Sequence, residues 1–293
     1  MIYPLDLTDL AEAVYSAEQP NARMYHYTNL SGLLGIVKEK KVWACDARYM
    51  NDAAEIKDFI KRISSYCGSR TPLENFERWF LGQFETKPLA YICSFTPNGN
   101  QLSQWRGYCE YGKGVSIGFN TANLISASKP IQFGLGKCIY DDDEKDLIAE
   151  AVAKSIQHEC EKLGPSRGLN QGLQKYDHVF SQSAPRIIRI ASLFKDSSFS
   201  EEAEWRLIAP VLHSNGDLVS YAPYGGVNFR ASRNAIVPYI TFPIDYMNEF
   251  IIDEVQVGPG PQPATTAESI RYFLKSTGFS ERIVRQPSHT FIG

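Results

Sequence analysis

The chain has 293 residues and a formal net charge of −3, with 43% hydrophobic and 12% aromatic residues, which is ample material for a core and unlike a globally basic nucleic-acid binder. Charged residues interleave with apolar ones along nearly the whole length, which argues against extensive disorder. Six cysteines lack any CxxC pair and five histidines lie far apart, so reduced thiols and no metal site are expected.

The opening MIYPLDLTDL has no basic stretch before an apolar core, and no segment reaches membrane-spanning length; a cytoplasmic protein is the expectation. LTDLAEAVYSAEQ places Leu7, Leu10 and Val14 at helical spacing and ends at Pro20. MYHYTN reads as a short aromatic strand. LSGLLGIVKEKK is a helix with Leu30, Leu33, Leu34 and Val37 on one face, capped by Thr28 or Asn29. After the strand VWACD, Asp52 and Glu55 have capping-box spacing ahead of the stripe Ile56, Phe59, Ile60 and Ile63. Glu55 is therefore a helix-start residue rather than a catalyst.

LAYICSF is a buried-strand pattern, followed by the turn PNGNQ and a short helix, LSQWRGY. KGVSIGF alternates as a strand, and CIYDDD closes another. Residues 143–195 are strongly helical in EKDLIAEAVAKSIQHECEKL and PRIIRIASLFK, joined by a Gly-, Pro- and Asn-rich connection near 164–172, an exposed loop. EWRLIAPVL, VNFRASRNAIVPYITFPI and IIDEVQVGP return to strand character, with a turn at Asn215–Gly216. AESIRYFLKSTG is a helix stopped at Gly278, and ERIVRQP is a final strand. VGPGPQPATTAESI has the layout of a phosphate loop but lacks its lysine, and its prolines remove donors. It reads as a strand–helix connection capped by Thr265 or Thr266.

Several segments taken together resemble a known family. YHYT with the following helix and VWACDARYMND, then SFTPNGNQLSQWRGYCEYGKGVSIGF, EEAEWRL, FRASRNAIVPYI and DEVQVGP occur in the order typical of the bacterial domain of unknown function 2971, over roughly residues 23–290. More distantly, the His-aromatic-Thr opening, the aromatics after a central strand and a Glu before an apolar strand resemble the His–Tyr–Glu branch of the ADP-ribosyltransferases. That resemblance implies an α+β fold with split antiparallel or mixed sheets, flanking helices and a helical insertion. One elaborated domain is expected over 1–293, with an N-terminal helix in 1–22, core halves over 23–142 and 196–293, and the insertion over 143–195.

The same resemblance implies NAD as substrate and assigns the site. Glu204 is the carboxylate that stabilises positive charge on the ribose. His26 holds a ribose hydroxyl on the adenosine side, and the backbone of Tyr27 grips the nicotinamide carboxamide. Thr28 assists or caps the next helix, with capping preferred. Tyr108, ahead of Trp105 and Tyr111, stacks on nicotinamide. Arg106 is a pyrophosphate clamp or an orienting residue, and Arg206 is by default the group that orients the carboxylate. Arg230 and Arg233 form either a phosphate-facing pair or a solvated loop. Glu201 and Glu202 are expected to be solvated, and Glu202 two residues before Glu204 implies nothing about an acceptor.

The leading expectation is ADP-ribosyl transfer from NAD to an unknown protein or nucleic-acid acceptor, as a bacterial phage-defence or toxin-type effector. NAD glycohydrolysis on the same fold and a non-catalytic nucleotide- or nucleic-acid-binding module are the alternatives. A homo-oligomer or a regulatory partner is left open.

Overall fold

Asp6 starts the first helix by accepting the backbone N–H of Thr8 at 2.7 Å, as an N-cap carboxylate does. The computed structural model describes residues 6–50, 53–66, 72–86, 88–110, 112–131, 133–165, 169–210, 213–214, 217–218, 226–232, 234–246 and 249–287. Asp52, Tyr111, the Asn215–Gly216 turn and Arg233 lie outside them. In chain order the elements are α1 (Leu7–Ser16), β1 (Arg23–Thr28), α2 (Leu30–Glu39), β2 (Lys41–Asp46), α3 (Ala53–Ser65), α4 (Pro72–Thr86), β3 (Ala90–Phe95), α5 (Leu102–Tyr108), β4 (Val115–Asn120), α6 (Thr121–Ser128) and β5 (Gly134–Lys137). There follow α7 (Asp142–Lys162), α8 (Leu169–Ala191), β6 (Trp205–Pro210), the short pair β7 (His213–Ser214) and β8 (Asp217–Leu218), β9 (Asn228–Ala231) and β10 (Ile236–Pro243). The short pair β11 (Asp245–Tyr246) and β12 (Glu249–Phe250), then β13 (Ile252–Val257), α9 (Pro263–Ser276) and β14 (Val284–Arg285) complete the order.

The architecture is α+β, built on two principal sheets. One has the order β1-β4-β13-β14 and the other β5-β6-β3-β2-β10-β9. Strand alternation explains how they stack. Tyr91, Cys93 and Phe95 of β3 point into a core shared with Val115, Ile117 and Phe119 of β4, between the sheets. Ala90 and Ile92 point the other way, into a core with Ile56, Phe59 and Ile60 of α3, Phe76 and Phe80 of α4, Ile148 and Val152 of α7, and Tyr176, Phe180 and Ile187 of α8. β3 is buried on both faces, which is why its segment is a continuous apolar run.

Several local expectations need correction. Asn29, not Thr28, caps α2, because its Oδ1 accepts the Gly32 N–H at 2.8 Å. α9 begins at Pro263, whose fixed φ and missing N–H suit a first helical position; neither Thr265 nor Thr266 caps it, and Thr266 Oγ1 donates back to the Gln262 carbonyl. CIYDDD is not a strand: β5 ends at Lys137, and Asp141 is instead the N-cap of α7. The second long helix begins at Leu169 and passes through Pro185, because Tyr176, Phe180, Ile187, Ile188 and Ile190 anchor it on both sides of the proline. It ends at Ala191, so Leu193–Lys195 lie beyond it, where Phe194 bridges to Ile139. α4 and α6 were not anticipated. Gly278 stops α9 as expected, with φ +83 and the Phe279 N–H bonded to the Leu274 carbonyl.

Candidate active site

The two sheets touch and then part at β1. β1 pairs antiparallel with β4 along its whole length, from Arg23↔Asn120 to Thr28↔Val115. Its other edge meets the end of β3 through one bridge, Tyr25–Thr96, with hydrogen bonds of 2.7 and 2.9 Å. Backbone groups of an antiparallel strand alternate between its two edges. Since Tyr25 addresses Thr96, Tyr27 presents its N–H and C=O on the same edge, where the sheets have separated. A cleft opens there, lined by Tyr25, His26, Tyr27, Ser94, Phe95, Thr96, Gln104, Tyr108, Glu202 and Glu204.

His26 is half-buried, and its Nδ1 lies 2.9 Å from the Ser94 carbonyl oxygen. A carbonyl only accepts, so Nδ1 carries the proton and Nε2 is the ring's acceptor. Burial pulls the His26 pKa below its ordinary 6.5, outweighing the opposing Ser94 bond, and the imidazole is neutral near pH 7. The Tyr27 side chain has a structural task. Its hydroxyl donates to the Asn98 carbonyl at 2.7 Å and accepts the Gln101 N–H at 2.9 Å, and its ring meets Trp105 edge-on at 4.7 Å. These contacts fix the start of α5.

Glu204 enters from the opposite wall. The 3-10 turn Ser197–Glu202 ends at Ala203, which takes φ +45, and this left-handed residue swings the chain into β6. The Glu204 backbone is pinned on both sides, its N–H donating to Tyr140 Oη and its carbonyl accepting from Cys138. The residue is 5% exposed. Oε2 accepts from Lys195 Nζ at 2.5 Å and from Arg206 Nη2 at 3.2 Å, and Oε1 accepts from Arg206 Nε at 3.1 Å. Three of the roughly four acceptor positions on a carboxylate are thus taken, leaving one on Oε1. Burial by itself would raise the Glu204 pKa, but the charges of Arg206 and Lys195 hold it down at about 2. The two cations do not line the cleft, whereas Glu202 and Glu204 do. The cleft therefore meets carboxylate oxygen with positive charge behind it.

The turn is also tied to α5. Gln101 Nε2 donates to the Glu201 carbonyl at 2.6 Å, Ser103 Oγ to Glu201 Oε1 at 3.0 Å, and Tyr108 Oη to Glu202 Oε1 at 3.3 Å. Beneath this wall Gly99 lies flat on the Tyr25 ring, and a Cβ at that position would collide with it.

Of the residues assigned from sequence, His26, Tyr27, Tyr108 and Glu204 converge on the cleft. Others do not. Trp105 is 2% exposed, packs with Tyr25, Tyr27 and Cys109, and donates Nε1 to Asn100; it is a packing residue. Thr28 and the exposed Arg106 are absent from the cleft wall. Arg206 is fully buried behind Glu204 and also donates to the Ser192 carbonyl at 2.7 Å, which makes it an orienting residue and not a nucleotide contact. Glu202 is not simply solvated: Lys195 Nζ donates to its Oε2 at 2.6 Å. Arg230 is half-buried beside Cys45 and outside the cleft. Sequence reasoning missed Ser94, Thr96, Gln104 and above all Lys195, whose one signal was a charged residue closing the apolar run IASLF.

Residues 104–207 match the family model described as Protein of unknown function (DUF2971). Over that stretch the chain is similar to the DUF2971 family. The match is narrower than the 23–290 expected, and it carries Gln104, Tyr108, Lys195, Glu202, Glu204 and Arg206, while β1 with His26 and Tyr27 precedes it. The matched stretch thus supplies four of the cleft-lining residues, Gln104, Tyr108, Glu202 and Glu204, and the family's description states no activity. No curated protein and no solved structure matches the chain. Among the described residues, no helix is long and apolar enough to cross a membrane.

The pKa shifts of this site predict how stability depends on pH. Glu204 sits at about 2 in the fold against an ordinary 4.5, so its contribution is complete above pH 4.5 and is lost as pH falls toward 2. His26 is also depressed, from 6.5, so the unfolded chain takes up its proton first and stability falls as pH drops below 6.5. Calorimetric midpoints should therefore decline in two stages on acidification, and Glu204→Gln should shrink the lower stage, to which Asp6, Asp142 and Asp196, also held below the usual carboxylate range, contribute as well. A midpoint constant between about pH 7 and about pH 3 contradicts both assignments.

Proposed function

We propose that this cleft binds the nicotinamide–ribose end of NAD and that the protein transfers ADP-ribose from NAD to a macromolecular acceptor. The observation that carries this reading is the convergence of a neutral imidazole, an open backbone donor–acceptor pair and a cation-backed carboxylate on one cleft. An α+β architecture of two sheets with flanking helices, and two long helices before β6, is consistent with what the ADP-ribosyltransferase resemblance implies and supports the reading.

The Tyr27 N–H and C=O pair with the carboxamide of nicotinamide, which offers one acceptor and donors in a matching plane. Tyr108, 48% exposed at the cleft wall, supplies the ring that stacks on the pyridinium face. His26 Nε2 accepts from a ribose hydroxyl. As the nicotinamide–ribose bond breaks, its electron pair leaves on the nicotinamide nitrogen, and positive charge develops on the ribose. Glu204 faces that charge and keeps one acceptor position on Oε1 for a ribose hydroxyl. Because its carboxylate is already ionised and held by Lys195 and Arg206, it needs no reorganisation at the moment of reaction, which is the condition under which electrostatic stabilisation is strongest. A nucleophile of the acceptor then takes the ADP-ribosyl carbon.

Incubation with NAD labelled in its adenosine half, together with protein, DNA and RNA acceptors, tests this. Release of nicotinamide with label retained on a macromolecule is the expected result. Release with all label in free ADP-ribose makes water the acceptor, and NAD-induced thermal stabilisation without release makes the protein a binding module. The absence of both release and stabilisation overturns the reading.

A further inference from the structure

Lys195 lies just past the end of α8, on a segment that no sequence motif marks. Its backbone N–H donates to the Ile139 carbonyl at 3.1 Å, next to the Ile139–Phe194 bridge, which brings it alongside the stretch that pins Glu204. The residue is 3% exposed. A buried ammonium is costly unless paired, and here its Nζ donates to two carboxylates, Glu202 Oε2 at 2.6 Å and Glu204 Oε2 at 2.5 Å. Those two oxygens are therefore no more than about 5 Å apart, a spacing at which like charges strongly disfavour joint ionisation. Arg206 relieves only Glu204 among this pair, through Nε and Nη2.

We propose that Lys195 is a positioning residue whose single ammonium holds the Glu202 and Glu204 carboxylates together as one wall of the cleft. The catalytic half of this proposal rests on the NAD reading above; the electrostatic half does not. Among the described residues, the groups around the ammonium include Glu202 and the Phe199 ring of the 3-10 turn, Glu204 just before β6, Arg206 of β6, and Tyr140 ahead of α7. Tyr108 of α5 reaches it through Glu202, and Glu55 of α3 accepts from the backbone of the next residue, Asp196. With the lysine in place, Glu202 lies beside Glu204 and does not repel it. With the lysine removed, the two negative charges oppose each other, and Glu204 keeps its proton to higher pH.

A double-mutant cycle distinguishes this from a packing role. Glu202→Gln alone should lower the thermal midpoint, because it takes a carboxylate from a buried ammonium. In a Lys195→Met background the same change should raise the midpoint, because it removes a repulsion; a Lys195→Met protein that folds only when Glu202→Gln is added is the extreme form of that result. Carbon-detected NMR should place the Glu204 titration about 1–3 pH units higher in Lys195→Met than in the unmodified protein, and back toward its original position in Lys195→Met/Glu202→Gln and in Lys195→Arg. Nicotinamide release should fall in Lys195→Met through kcat more than KM, with an acidic limb moved to higher pH. A Glu202→Gln effect of the same sign in both backgrounds, or an unmoved Glu204 titration, overturns the proposal. Should the unmodified protein release no nicotinamide, the NAD reading falls while the cycle and the titration still decide the role of the lysine.

Discussion

Glu204→Gln is expected to reduce nicotinamide release from NAD by about 10²–10³-fold, the range seen when one preorganised electrostatic group is taken from a transition state. The geometry argues for a loss at the upper end. Glu204 is the cleft-lining group that two cations hold ionised, and the amide that replaces it carries no charge to set against the ribose. It also leaves Lys195 and Arg206 with less negative charge than they need, so the variant should be less stable than the parent. Activity must therefore be compared at a temperature where both are folded by circular dichroism. Glu204→Asp separates charge from position: it keeps the ion pairs' sign while drawing the carboxylate back by one methylene. If placement matters as proposed, Glu204→Asp should fold well and still lose about 10²-fold in release. A folded Glu204→Gln protein that turns over NAD at the parental rate removes Glu204 from the mechanism.

The second large effect is on stability. Arg206→Met should cost about 3–5 kcal/mol, the usual penalty for removing one partner of a buried ion pair. Arg206 is fully buried, and its guanidinium serves three groups at once: the Glu204 carboxylate through two nitrogens, and the carbonyls of Ser192 and Phe194. Those carbonyls close the end of α8 against β6, so their loss loosens the contact between the helical layer and the sheet as well as the site. Arg206→Lys should recover little, because one ammonium cannot reproduce the planar fork. The measurement is the urea midpoint, with an unchanged dependence on denaturant showing that the unfolded state is the same. A shift corresponding to less than about 1 kcal/mol would mean that the cluster contributes nothing beyond what exposed pairs do.

Local pattern carried much of the secondary structure. The stripe Ile56, Phe59, Ile60 and Ile63 and the alternation Val115, Ile117 and Phe119 each declare which face is buried, and those faces form the cores observed. Local pattern fails where two signals compete. Pro185 suggests a helix start but lies within α8, because apolar contacts on both sides outweigh one missing hydrogen bond. The short motifs at His26 and Glu204 singled out two residues nearly two hundred positions apart, and both reach one cleft.

What only the tertiary structure decided is the electrostatics. Whether Lys195 is a solvated helix-end cation or a buried counter-ion depends on β6 lying beside the chain that leaves α8, and whether Trp105 meets a ligand or a core depends on Tyr27 reaching across to it. Periodicity reports which way a side chain points relative to its own element. It carries no information about what another element, distant in sequence, places opposite, and the state of a buried charge is set by that opposing group.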